Sequence, residues 1–204
     1  MSGTALLTDG RLRSFALPHA LESLNGIVTF TATGVNVDGL RGRVAGGPVS
    51  FAGRIGLAGY QLSEFDVTAS ATGMRLRFPE GMRSVVDAEL SLRGPATAPV
   101  LGGTVTVESA VWSRPFDTSG GLFDLGGASD AIPAVEGALS EAPAGRLRYD
   151  IRLLAPSTLR IENDQSRIVA SADVNLQGTY DRPVVLGRAE IERGEVRFEG
   201  RRYW

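Results

Sequence analysis

The stretch VDAELSLRGPATAPVLGGTVTVESAVW (Val86–Trp112) decides the fold, because the chain repeats it. ASADVNLQGTYDRPVVLGRAEIERGEV (Ala170–Val196) carries the same Gly–Pro–Gly spacing 84 residues later, and GTALLTDGRL (Gly3–Leu12) matches its second half. The pattern of each full copy predicts a strand, a turn and a second strand. A recurring unit of this kind predicts stacked neighbours that build an extended surface rather than a single catalytic pocket.

Apolar and polar residues alternate within these units. Along Val86–Leu92 every second residue is apolar, and the residues between them are Asp, Glu and Ser. Ala170–Leu176 and Arg148–Leu153 alternate in the same way. Strict alternation over such lengths predicts antiparallel strands with one apolar face and one solvated face.

The alternation changes phase at a fixed position of the repeat, which Gly10, Ala110 and Gly194 occupy, and this predicts a bulge or tight bend there. We predict a strand on each side of these three positions, at 4–9 and 11–16, 101–108 and 110–116, and 185–192 and 194–199. Further strands are predicted at 27–37, 40–45, 48–57, 60–71, 73–78, 84–93, 146–154, 158–162 and 167–178. The one helical signal is a turn or two over Pro18–Leu24.

The chain divides into two strand-rich blocks. Residues 1–116 form the first block, and residues 146–204 are predicted to continue the same sheet. Between them, 117–145 is rich in Gly, Ala, Ser, Pro and acidic residues without a sustained period, which predicts a flexible insertion. Two interpretations of this insertion stay open, a tolerated surface loop and a partner-binding loop. Because both chain ends fall inside repeats, we expect a fragment of a longer array.

Composition excludes several function classes. The net charge of −2 gives no electrostatic basis for nucleic-acid binding, although all 21 basic residues are Arg. Cysteine is absent and His19 is the only histidine, so a conventional Cys/His zinc site is excluded. No catalytic motif surrounds His19, and Glu162–Asp164 lacks the spacing of a calcium loop. We therefore predict no catalytic residue, no metal, no cofactor and no enzyme.

The apolar stripes are the remaining candidate for function. Two arrangements are open: a β-sandwich that seals the stripes in a core, and a sheet bent into a gutter whose lining is open to lipid acyl chains. The gutter hypothesis also leads us to expect self-association of the chain, because its face and ends are uncovered. The predicted groove residues are Phe51, Ile55, Leu57, Leu90, Leu92, Val105, Val107, Ile151, Leu153, Val174, Leu176 and Ile191.

Three stretches carry a resemblance to a known family. LNGIVTFTATGVNVDGLRGRVAGGPVSFAGRIGL (Leu24–Leu57) is similar to the AsmA-like superfamily, whose repeats typically carry such Gly-punctuated strands. APSTLRIEN (Ala155–Asn163) and RIVASADVNLQGTYDRPVVLGRAEIERGEVRFEGRRY (Arg167–Tyr203) resemble the C-terminal region of the TamB family. The resemblance extends over about 3–203 and is weakest over 117–145.

This resemblance implies a fold, a place and a partner. It implies an all-β chain whose long, curled, mostly antiparallel sheet forms a U-shaped β-taco with an apolar groove. It further implies a periplasmic protein, anchored in the inner membrane, that reaches an Omp85-type outer-membrane barrel such as TamA. The implied functions are phospholipid transport between the membranes and, alternatively, a scaffold or chaperone role in assembling outer-membrane β-barrel proteins.

Overall fold

The computed structural model describes residues 2–13, 19–77, 80–114, 146–163, 165–198 and 201–203. These residues form a single eleven-stranded sheet whose spatial order follows the chain order from β1 to β11. The strands are β1 Gly3–Leu12, β2 Leu21–Thr31, β3 Gly34–Val44, β4 Gly47–Ala58, β5 Gln61–Leu76, β6 Met82–Pro95, β7 Val100–Trp112, β8 Arg148–Glu162, β9 Ser166–Thr179, β10 Arg182–Phe198 and β11 Arg201–Tyr203.

Neighbouring strands pair antiparallel with one exception. β7 and β8, which lie on either side of the segment 115–145, pair in parallel from Val100 opposite Arg148 to Trp112 opposite Ile161. The sheet is open, because its end strands β1 and β11 do not pair with each other. The predicted fold class, a curled and mostly antiparallel sheet of the taco type, is therefore confirmed.

The two repeat units pair in the same register. Leu90 lies opposite Gly103 in the β6–β7 pair, and Val174 lies opposite Gly187 in the β9–β10 pair, 84 positions later on both strands. The bulges also fall at the same position, since the second strand of each repeat unit holds one extra residue, Glu108 in β7 and Glu192 in β10. The two units are thus built alike, from the turn to the bulge.

β-Bulges explain why the predicted strands were too short. The register shifts near Gly10, Ala110 and Gly194 bear out the bulge that the phase change predicted. Five pairs of predicted strands, such as 60–71 with 73–78, each correspond to one strand of the described residues. A bulge reverses the alternation without ending the strand. In β5 the bulge at Gly73, where φ is +60°, is held by Asp87, whose Oδ1 accepts the Gly73 N–H at 2.7 Å.

Two local predictions are wrong. The strand predicted at 27–37 is two strands, β2 and β3, joined by a tight turn between Thr31 and Gly34. The helical turn predicted over Pro18–Leu24 is contradicted from Leu21 onward, because Leu21 pairs with both Leu12 and Val44. Residues 14–18 and the predicted insertion at 117–145 lie outside the described residues. The division of the chain into two blocks stays a prediction.

The core is a thin layer on one face of the sheet. Its most buried cluster consists of Val86, Val107, Ala110 and Ala155, which come from three successive strands. Within the described part of the chain, no large side chain is fully buried, and substantial contacts join sheet neighbours only. A sandwich would place a second sheet over this face, so the sandwich alternative is wrong for the described residues.

Candidate functional site

One face of the sheet, which we call the apolar face, carries rows of aliphatic side chains across the strands. Because residues opposite each other in a ladder point the same way, the pairing register shows which side chains share a row. One of these rows, which we call the eight-strand row, extends roughly 34 Å at about 4.8 Å per strand. Its members are Leu40, Phe51, Ala69, Leu90, Gly103, Ile151, Leu176 and Val185.

The register also locates the twelve residues predicted to line a groove. Eleven of them fall on the apolar face through ladder pairs, and Leu57 follows the alternation of β4 onto the same face. Val107 is buried at 4% exposure, Ile191 is exposed at 69%, and the other ten are half-buried. The structure therefore brings the predicted residues onto one surface, while their binding of lipid stays a prediction.

Sequence reasoning missed the part of this surface that β5 contributes. Phe65 lies opposite Ile55, Val67 opposite Leu92, and Ala69 opposite Phe51 and Leu90. The sequence does carry the pattern of a strand with one apolar face here, because these residues alternate with polar ones along β5. β5 thus joins the rows of β4 to those of β6.

A glycine interrupts the large side chains of the eight-strand row. Gly103 separates Leu90 from Ile151 in this row. Its φ is +133°, and a Cβ at this position would lie 2.1 Å from the Glu89 carbonyl oxygen. Only glycine fits there, which leaves a shallow gap between two branched aliphatic side chains.

Charged side chains are confined to the opposite side, which we call the outer face. In strands β3–β10, every Asp, Glu and Arg at a paired position with a described side chain lies on that face. Arg152 donates to Asp173 through two nitrogens, at 2.9 and 2.6 Å. The hydrogen bond from Arg152 lowers the pKa of Asp173 below its ordinary value. The outer face thus carries the charged residues of these strands, several of them in solvated ion pairs.

The apolar face disfavours ionised and hydrogen-bonding groups. Burial, together with the neighbouring Tyr180, raises the pKa of the Tyr149 phenol, which shares a row with Leu92 and Leu101. The indole Nε1 of Trp112 is buried without a hydrogen-bond partner. An environment that disfavours ionised and hydrogen-bonding groups suits hydrocarbon.

The described residues contain no group of His, Asp or Glu arranged to hold a metal ion. A search of the same residues finds no helix with the length and apolar character needed to cross a membrane.

Comparison with known proteins points to one family. The family model described as the TamB C-terminal domain matches residues 38–203, which is most of the chain and includes both full repeat units. No curated protein and no solved structure matches the chain significantly.

Proposed function

The chain belongs to the TamB family, and from that premise we propose that its apolar face carries phospholipid acyl chains along the sheet. The family match supports a part in the translocation and assembly module, whose members are cell-envelope proteins that span the periplasm and work with TamA in the outer membrane. In this proposal the face is one segment of a path between the inner and outer membranes.

The observation that carries the proposal is the eight-strand row of apolar residues, which no second layer of described residues covers and no charged side chain interrupts. Each CH₂ group removed from water is worth about 0.8 kcal/mol, so a 16-carbon chain gains roughly 13 kcal/mol when fully shielded. A continuous apolar row offers much of this gain at every step, without a deep pocket that would hold the lipid in one place. Half-buried residues such as Leu90 and Leu176 leave apolar surface available to a ligand.

Photo-crosslinking in the presence of phospholipid vesicles tests the proposal. A photoreactive residue is placed at Leu90 or Leu176 on the apolar face, and at Glu89 or Asn175 on the outer face as the matched control. We expect lipid adducts at the two leucine positions only. Adducts at neither face, or at both faces equally, would mean that the apolar face does not bind acyl chains selectively.

A charge on the lining gives an independent test. Leu90→Glu is expected to reduce lipid adducts at Leu176 by interrupting the eight-strand row, while circular dichroism shows an unchanged sheet. Glu89→Leu serves as the control on the outer face. If Leu90→Glu unfolds the chain, Leu90 is a structural residue and the conduit loses its support at that position.

A second candidate function is a scaffold for assembling outer-membrane β-barrel proteins. It is favoured by β10, which pairs with β9 along one edge, while no described strand covers most of its other edge. Open strand edges offer unpaired backbone groups to incoming strands. Substitutions at this edge would affect the scaffold function and leave acyl-chain crosslinking unchanged, which separates the two candidates.

A further inference from the structure

Three of the chain's four tyrosines lie at the same strand ends of the sheet. Tyr60 is in the turn between β4 and β5, Tyr149 is the second residue of β8, and Tyr180 is in the turn between β9 and β10. The ladders from β4 to β10 place these ends side by side, and we call them the tyrosine rim. Tyrosine combines an apolar ring with a polar hydroxyl, so it suits a boundary between hydrocarbon and water.

Tyr149 and Tyr180 form a pair of phenols on this rim. Tyr149 is half-buried on the apolar face, and burial together with the nearby Tyr180 raises its phenol pKa. Gly178 lies opposite Tyr149, and a Cβ there would collide with the Arg182 carbonyl oxygen, so position 178 contributes no side chain beside the ring. Within the residues that the structure describes, neither hydroxyl has a hydrogen-bond partner and neither is sealed from solvent, so both can donate to a ligand.

Basic side chains at the same strand ends complement an anionic group. Arg148 and Arg182 begin β8 and β10 and flank the end of β9 on the outer face. Neither forms an ion pair within the described part of the chain. With Arg146 they make three basic residues at this end of β8–β10, against two acidic ones, Asp150 and Asp181. Guanidinium groups match the geometry of phosphate oxygens, so this end of the sheet favours phosphate.

The opposite strand ends do not offer the same contact on the apolar face. In the described residues of β6–β9, the polar side chains of that face at those ends are Ser84, Trp112 and Ser166. The Nε1 atom of Trp112 is buried, and the two serines are 6% and 4% exposed. A lipid headgroup therefore finds accessible donors at the tyrosine rim and buried ones at the other end.

We propose that the tyrosine rim binds the phosphate of a glycerophospholipid through the hydroxyls of Tyr149 and Tyr180, while the acyl chains lie on the apolar face. The inference rests on the proposed conduit function and adds where the headgroup sits and which of its groups is recognised. Each hydroxyl donates to a phosphate oxygen, and the arginines add charge-assisted hydrogen bonds. About 20 Å of β8 separates Tyr149 from Ala155, at about 3.3 Å per residue, and over this distance Ile151 and Leu153 offer apolar surface to the chains.

Phenylalanine substitutions test the two hydroxyls. The double variant Tyr149→Phe with Tyr180→Phe removes both oxygens and keeps both rings. Phosphatidylglycerol, or diacylglycerol with the same acyl chains, is presented to the 204-residue chain in micelles of one nonionic detergent. The measured quantity is the lipid concentration that half-saturates crosslinking to a photoreactive residue in place of Leu90. We expect the double variant to raise this concentration about tenfold for phosphatidylglycerol and to leave it unchanged for diacylglycerol.

Arginine substitutions give the matched controls. Arg148→Gln with Arg182→Gln should raise the half-saturating phosphatidylglycerol concentration about threefold at low salt, and less at high salt, because exposed charges are screened. Arg83→Gln with Arg160→Gln removes two arginines from the outer face at the opposite strand ends and should change nothing. The phenylalanine variant should keep the urea midpoint of the unchanged chain, because its hydroxyls lose no partner among the described residues.

The outcomes separate this inference from the function on which it rests. Equal effects of the phenylalanine variant on both lipids, or no effect on either, overturn the inference and leave the conduit standing, because crosslinking at position 90 persists. Displacement of phosphatidylglycerol by inorganic phosphate at equal concentration also overturns the inference, since the rim would then be a site for free anions. Absence of crosslinking at position 90 with either lipid, before any tyrosine is changed, overturns the conduit and the inference together.

Discussion

Val107 and Ile191 occupy the same position of the repeat but differ widely in exposure, so they should differ in how much they stabilise the fold. Val107→Ala and Ile191→Ala change equivalent positions of β7 and β10, on the same face and next to the same type of bulge. The larger truncation is at Ile191, so side-chain size alone predicts that Ile191→Ala is the more harmful change. Burial predicts the opposite order.

The magnitudes follow from the exposed fractions. Val107→Ala removes two carbons from a site that is 4% exposed, which costs about 1.5 kcal/mol of transfer free energy, and a residual cavity raises the total to about 2 kcal/mol. Ile191→Ala removes three carbons, but the residue is 69% exposed, so the loss is about 0.7 kcal/mol. For a chain of this size the Val107 change should lower Tm by about 4–8 °C.

Urea unfolding of the two variants, followed by circular dichroism, measures the difference. We expect equal m-values and a lower midpoint for Val107→Ala. Equal losses at the two positions would refute the reasoning, because they would mean that something covers Ile191 in solution as β8 covers Val107. A larger loss for Ile191→Ala would contradict the β7–β8 pairing itself.

Three further results are expected. Gly103→Ala should cost about 2 kcal/mol or more in urea unfolding, because its Cβ would meet the Glu89 carbonyl at a φ of +133°, whereas Gly3→Ala, in the third copy of the repeat and with nothing within 4 Å, should change little. Arg152→Gln should raise the pKa of Asp173, measured by carboxyl NMR, toward its ordinary value of 3.8. Since that pKa is lowered in the folded chain, the stability advantage over the variant should be full above about pH 4 and vanish as pH falls through the lowered pKa. Asp87→Ala should cost about 1 kcal/mol and speed amide exchange at the β5 bulge, with a smaller effect for Asp87→Asn.

Most of the strands could be predicted from local pattern. β4, β6 and β9 match their predictions to within about two residues at each end. The predictions failed where one signal has two physical causes. A change of phase in the alternation marks a bulge as well as a strand end, and only the partner strand distinguishes them, as Ser109 opposite Val85 and Val107 opposite Val86 show.

The missed turn has a different cause. Polar threonines surround the β2–β3 turn, and alternation resumes directly after Gly34, so the turn shows in the local pattern only as a shift of the apolar residues from even to odd positions. Pairing of Phe30 with Val35 closes the hairpin and reveals the turn. For Leu21–Leu24, pairing of Leu21 with Leu12 and of Leu24 with Gly10 makes the segment a strand rather than a helical turn.

The sequence by itself determined the direction in which each side chain points and which strands are alike. Alternation is a property of the extended backbone, so the groove residues could be assigned to one face before any pairing was known. The tertiary structure alone decided which of these residues are covered. Val107 and Ile191 occupy equivalent positions of the repeat, but β8 covers the second edge of β7, whereas no described strand covers the second edge of β10 at Ile191. Burial depends on neighbours far away in the chain, which the local pattern of a repeat does not specify.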